Sequence, residues 1–167
     1  GRTGGTNAWR AAGLKAAIPT ILGDGIKGAV AVLLVRALIA RFFPNADATI
    51  VDLSIGLTGG AAVWGHNWSL FAGFNGGAGG ITAAATAMAI FPLAGGIVWI
   101  TGALLIWWSR IASVGTFAVG AVSLATLLLF AFNDIAPWRY VISGLMAFFG
   151  VFLALRRNRQ QLKDQKE

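Results

Sequence analysis

The sequence predicts an all-α, polytopic transmembrane helical bundle, and three observations predict it. The chain is 57% hydrophobic and only 11% charged, whereas a soluble domain carries about 25% charged residues. The charges are segregated: neither Gly76 to Ser109 nor Val114 to Phe132 contains one. Strict two-residue alternation is missing, so the apolar runs read as helices rather than barrel strands. Helices and closed barrels are the structures that satisfy backbone hydrogen bonds inside lipid.

A hydrocarbon core about 30 Å thick needs roughly 20 mostly apolar residues per helix. On that measure six spans are read, near 18–42, 48–65, 77–91, 93–109, 114–132 and 138–156. The turn after the first carries Pro44, Asn45, Ala46 and Asp47, and the last outer turn carries Asn133, Asp134 and Pro137. The 77–91 run is the short one. A single domain is expected over 1–167, with a polar motif loop at 1–15 and a basic tail at 156–167.

The net charge of +7 is placed for a membrane and not for nucleic acid. With a cytoplasmic N-terminus and alternating spans, the inner side holds Arg2, Arg10, Lys15, Arg110, Arg156, Arg157, Arg159, Lys163 and Lys166. The outer side holds Arg36, Arg41 and Arg139, with Lys27 inside a span. That asymmetry follows the positive-inside rule, and the tail can rest on anionic lipid. The polar segments 1–15, 65–80, 109–113 and 156–163 then share the cytoplasmic face, which makes that face the expected site.

Composition also excludes chemistry. With no cysteine there are no disulfides and no thiolate. One histidine and six scattered carboxylates give no metal site, and no cofactor is expected. The lone His66 has no carboxylate near it in sequence, so no Ser-His-Asp triad is read.

Several segments suit phosphate. Gly4 and Gly5 precede Thr6, Asn7 and Arg10, donors that fit an anion, Arg bidentately. The plain alternative is a terminus whose Arg10 touches lipid headgroups. Asp24 and Lys27 lie one turn apart on one helix face, either as a mutually neutralising pair or with Lys27 facing phosphate and Asp24 orienting it. Arg36 and Arg41, near the outer end, are expected to snorkel. His66 ends a span beside Gly65, as a helix-end hydrogen-bonding group or as a participant in chemistry. Gly76, Gly77 and Gly79 open a helix, where free N–H groups and the dipole attract an anion. Small residues also serve membrane helix packing. Arg110 and Ser113 occupy a short inner loop, where Arg110 can equally be a topology anchor, and Asn158 stands in the basic tail.

These segments, in this order, resemble the acyl-phosphate–glycerol-3-phosphate acyltransferases, the PlsY family. The family's S-G-N-x-G-A-T-N-x-x-R motif is similar to Gly1 through Arg10, and D-x-x-K-G to Asp24 through Gly28. G-H-x-x-P-x-F-x-x-F-x-G-G-K-G-x-x-T resembles Gly65 through Thr82 without a gap, and T-R-x-x-S resembles Ser109 through Ser113. The likeness covers about 1–115, with an echo of N-I-x-R-L at Asn158 to Leu162.

The resemblance implies acyl transfer from acyl phosphate to glycerol 3-phosphate, giving lysophosphatidate, at the cytoplasmic face of a bacterial inner membrane. It implies phosphate contacts from Thr6, Asn7, Arg10, Asp24, Lys27, Gly76, Gly77, Gly79, Arg110, Ser113 and Asn158, with His66, Lys27 and Arg10 closest to the chemistry. Because the family has seven spans, the six here are expected to lack the first, and the family's motif serine would precede Gly1. Ala78 stands where the family has the GGKG lysine, and Ser69 where it has proline. Loss of one charge-assisted phosphate contact costs about 1.5–3 kcal/mol, so either Arg110, Arg2 or another cation compensates, or the activity is altered or lost. The rival expectation is a non-catalytic relative, a structural subunit with membrane-complex partners.

Overall fold

The computed structural model describes residues 3–164, and the side chains of residues 3–157. Seven α-helices follow in order: α1 Gly5–Ala12, α2 Leu14–Phe42, α3 Ala48–Asn67, α4 Gly80–Ile90, α5 Pro92–Ser109, α6 Ala112–Phe132 and α7 Val141–Asp164. Short 3-10 turns occupy Leu70–Ala72 and Trp138–Tyr140. There is no strand among the described residues.

Five helical segments are long and apolar enough to cross a membrane, and α4 is a shorter apolar helix of 11 residues. Large apolar side chains such as Leu33, Leu34, Ile100, Leu104, Trp107, Trp108 and Phe132 are exposed around the bundle. That distribution suits lipid, not water. The protein is an integral membrane helical bundle.

Local sequence sets the helix ends. Asp47 caps α3, its Oδ1 accepting the Thr49 amide at 2.7 Å. Pro92 opens α5 at a position where a missing N–H costs nothing. Gly13, at φ 70°, turns α1 back onto α2, and a side chain at Gly5 would strike Ile21. The expected 1–15 motif loop is therefore partly helical, packed against α2.

Neighbouring helices meet through small residues. Gly56, Gly59 and Gly60 of α3 lie against the Arg139 carbonyl, Ser143 and Met146, which brings α3 and α7 together in parallel. Trp64 Nε1 donates to the Met146 carbonyl across the same seam at 2.8 Å. Gly95 meets Met88 in the tight α4–α5 hairpin, and Gly102 meets Val119 between α5 and α6. Without a hydrophobic force between helices in lipid, such close approach supplies the packing attraction.

The short α4 positions the site. Helices rise 1.5 Å per residue, so α4 stops about 10 Å short of the level its hairpin partner α5 reaches. The segment leading into it is non-helical, and Gly76, Gly77 and Gly79 are buried in protein. Irregular backbone at membrane depth is tolerated only under such cover. The other end of α4 corrects an expectation. Arg36 does not snorkel: it is half-buried, and its Nη2 donates to the Ile90 carbonyl at 2.6 Å. A helix that ends in the bundle has carbonyls without helical partners, and the guanidinium supplies one.

Candidate functional site

Two helices and a loop build the site. On α2, Asp24 and Lys27 share a face, and the Lys27 Nζ lies 2.6 Å from Asp24 Oδ1. Helix α2 begins at Leu14, so Asp24 lies about 15 Å along its axis. Helix α3 ends at Asn67 and delivers His66, whose Nδ1 is 2.5 Å from Lys27 Nζ and 3.4 Å from Asp24 Oδ1. The carboxylate that His66 lacks in sequence is supplied by the fold. An ammonium has only donors, so the contact with Lys27 calls on a lone pair at His66 Nδ1.

The glycine segment closes over the far side of His66. The Gly77 amide donates to the His66 carbonyl at 3.2 Å. A Cβ at Gly77 would run into His66 Nε2 and the Thr3 carbonyl, and one at Gly76 into the main chain of His66 and Asn67. Glycine is required here for close approach. Thr82, in the first turn of α4, donates its hydroxyl to the Asp24 carbonyl at 3.1 Å, locking α4 to α2 beside the pair. Gly79, at φ 81°, precedes α4 without a side-chain cap, so the amides of the first turn remain available.

Charge and exposure differ within the cluster. The Lys27 side chain is 47% exposed, against 13% for Asp24 and 5% for His66. The ammonium therefore has a shielded side, fixed by Asp24 and His66, and an open side free to meet an anion.

The remaining expected residues fall around this centre. Arg10 and Asn7 line, with Thr3 and Thr20, an open hollow of about 720 Å3. Thr3 touches both this hollow and Gly77, so the α1 region borders the glycine segment. Thr6 is exposed on α1. Arg110 ends α5 in the left-handed region at φ 56° and is exposed, as is Ser113 at the start of α6. One turn beyond Ser113, Thr116 packs against Gly80, bringing the start of α6 to the N-terminus of α4. The expectation for Asn158 lies outside the described side chains, as do those for Arg2, Arg159, Lys163 and Lys166. No group of three or more His, Cys, Asp or Glu that could hold a metal occurs among the described residues. A second hollow, about 680 Å3 between Asp134 and Arg139, belongs to the turn before α7 and holds none of the expected residues.

Sequence reading missed three residues here. Thr82 closes the family-like block but was not expected to hold α2. Asn67 is fully buried against Gly79, its Oδ1 and Nδ2 without a partner among the described residues; its only signal was its place after His66. Arg157, read as one tail cation among several, reaches the glycine segment's loop.

The fold and site define a multi-span membrane protein with a recessed cation, a buried histidine and an uncapped helix start. Comparison with known proteins makes this specific. Residues 1–165 match the family described as glycerol-3-phosphate acyltransferase. The glycerol-3-phosphate acyltransferase of Chlorobium phaeovibrioides is 32% identical over 184 residues, covering 97% of this chain and 78% of that protein. Its counterpart in Rubrobacter xylanophilus is 35% identical over 167 residues, covering 97% and 74%. The fold is similar to the crystal structure of PlsY, an integral membrane glycerol 3-phosphate acyltransferase, in its glycerol 3-phosphate form. The TM-score is 0.76 at 24% identity, covering 100% of this chain and 77% of that one. The lysophosphatidic acid form gives the same score over 79% of its chain. The chain belongs to the glycerol-3-phosphate acyltransferase family.

Proposed function

We propose that the protein moves an acyl group from an acyl phosphate to glycerol 3-phosphate, releasing lysophosphatidate and phosphate, as one domain spanning 1–167. Its family membership supports the reaction, since its relatives are glycerol-3-phosphate acyltransferases. The observation that carries the site is Lys27, held at its inner side by Asp24 and His66 while its outer side stays open beside the glycine segment.

An acyl phosphate is a mixed anhydride, already activated. The substrate hydroxyl attacks the acyl carbon, the bond from that carbon to the phosphate oxygen breaks, and the leaving phosphate takes the hydroxyl proton. No covalent enzyme intermediate and no protein base are required. Rate enhancement then rests on holding two phosphorylated substrates in line and stabilising developing charge. Lys27, Arg10, Asn7, Thr6 and the amides at Gly76 and Gly79 hold phosphate, with Arg110 and Ser113 at its rim and Asn158 contributing from the tail, while the Gly77 amide, already donated to the His66 carbonyl, keeps the glycine segment in place. Asp24 orients Lys27. His66 fixes Lys27 from the second side and keeps the glycine segment in register. We place the site at the cytoplasmic face of a bacterial plasma membrane, a reading supported by the gathering of positive charge at that end of the spans.

The absent GGKG lysine fits this geometry. Ala78 lies between buried Gly77 and Gly79 and is itself only half-buried, so a longer side chain there has room to leave the loop. Lys27, on the opposite side of the His66 ring from Gly77, is the cation this reading relies on. The test is formation of labelled lysophosphatidate from labelled glycerol 3-phosphate and acyl phosphate by the full-length protein in detergent. Product is expected from the parent, and Ala78→Lys should raise its rate or lower the KM. No product from either folded protein would overturn the enzyme reading.

A further inference from the structure

The loop from Trp68 to Gly79 is held from within by short-range bonds. They are one 3-10 turn, the Phe74 and Asn75 amides donating to the Ser69 and Ala72 carbonyls at 2.8 and 3.0 Å, and Asn75 Nδ2 on the Gly73 carbonyl at 3.2 Å, with the Gly77 amide on His66 beyond them. Phe74 sits in the left-handed region at φ 62°, which a side chain with a Cβ adopts at a cost. Phe71 is fully exposed and Phe74 more than half exposed, so burial fixes the glycines at the end of the loop but not the 70–75 stretch before them. Something outside the loop must tie that stretch to the bundle.

Arg157, near the end of α7, does so. Its Nη1 donates to the Phe74 carbonyl at 2.7 Å and its Nη2 to the Asn67 carbonyl at 3.1 Å. Its guanidinium also lies over the Trp68 ring, 5.5 Å from the centroid. Asn67 is the last residue of α3, where an unpaired carbonyl and the negative end of the helix dipole favour a cation. One planar fork thus spans two carbonyls on either side of the loop's turn and stacks on an aromatic between them, a geometry an ammonium cannot reproduce. The residue before one anchor is His66, and three residues beyond the other is Gly77.

We propose that Arg157 is a positioning residue: it straps the start of the basic tail to the 68–79 loop and so holds Gly76 and Gly77 against His66. Arg157 itself touches no reacting atom. Its catalytic consequence rests on the proposed acyltransferase reading, while its structural consequence does not. The strap makes the tail more than a topology signal, because α7 enters the site through it.

A purely stabilising role predicts a different pattern. Arg157 Nε is buried without a partner among the described residues, and lysine would remove that orphan donor while keeping the positive charge. If charge alone mattered, Arg157→Lys would therefore match the parent.

The test uses the full-length protein in detergent with two readouts. Diethylpyrocarbonate modification followed by absorbance, with His66→Gln as the blank, reports on His66 without any substrate. His66 is buried and should react slowly in the parent. Arg157→Gln and Arg157→Lys should each speed that reaction several-fold, with melting temperatures close to the parent's. Both should lower kcat/KM for glycerol 3-phosphate by about tenfold or more, as expected when reacting groups lose alignment. Arg156→Gln, at the exposed neighbouring position, should leave both readouts unchanged. If the His66 rate stays at the parent's value in folded Arg157→Lys, the strap is overturned, whatever the activity. If His66 becomes reactive in both variants, the strap stands even where the parent gives no product, and that lack of product counts against the proposed function alone.

Discussion

Helix α2 carries a cation at each end of its buried course, and the two behave differently. Lys27 is half exposed and held from behind by Asp24 and His66, with the buried glycines on the far side of the imidazole. Arg36 is turned into protein, where its Nη2 meets the carbonyl that ends α4, with Asp52 and Tyr140 beside it. The Arg36 end closes a helix terminus, and the Lys27 end leaves one open. Both ends of the same short helix α4 are thus met from α2: Arg36 satisfies its carbonyl end, and the Asp24 carbonyl accepts from Thr82 in its first turn, beside the amides that the proposed reading gives to phosphate. An intramembrane charge marks either task, and only its partners distinguish them.

The strongest way to break this comparison is to neutralise each cation in turn. Lys27→Gln should lower product formation by about a hundredfold or more, the scale for removing a preorganised charge-stabilising donor, while leaving thermal stability nearly unchanged. Arg36→Gln should do the reverse. Loss of a charged partner at the buried Ile90 carbonyl should cost about 1–3 kcal/mol of stability, read as a lower melting temperature, with KM retained in the folded fraction. If Arg36→Gln raised the KM as much as Lys27→Gln, the division of labour would be wrong.

A smaller effect tests close approach at the open end. Gly77→Ala places a methyl against His66 and the Thr3 carbonyl, so activity should fall about tenfold through displaced geometry. Gly96→Ala on α5 meets nothing within 4 Å and should leave activity at the parent's level. Equal losses would reduce the glycine requirement to general helix packing.

The smallest effect lies outside the membrane, where Asp47 caps α3. Hydrogen bonding from Thr49, side chain and amide, holds its carboxyl below its ordinary value of 3.8. A depressed carboxyl adds stability that is present above its ordinary value and is lost as pH falls through the depressed one. The melting-temperature gap between the parent and Asp47→Asn should therefore be constant near neutrality and close on acidification below about pH 4. A gap that grew on acidification would contradict the cap. Asparagine is itself a good cap, so the gap should be small.

Much of the site was legible because the relevant residues are close in sequence. The Asp24–Lys27 pair follows from helical spacing alone, and Gly76, Gly77 and Gly79 announce a helix start at which those three positions leave no room for a side chain. His66 was legible as a candidate but not in its role, because its carboxylate comes from 42 residues earlier, on another helix. Arg36 was misread for a related reason. Counting residues places it near the outer end of a span, where a long cation ordinarily reaches for headgroups, and nothing local reveals that Ile90 ends a helix beside it. Arg157 was one positive charge in a basic tail until its two carbonyl partners, 83 and 90 residues away, came into view.

By itself, then, the sequence determined that this chain is a helical membrane bundle, which segments are polar, and which family its motif order resembles. Those properties rest on hydrophobic length and short-range spacing, which lipid and helix geometry convert directly into structure. Only the tertiary structure decided which carboxylate faces His66, which cation closes α4, and which arm holds the glycine loop. Long side chains such as Lys27, Arg36 and Arg157 reach several ångströms in directions that sequence leaves open, and their partners are carbonyls and rings brought near by helix packing alone.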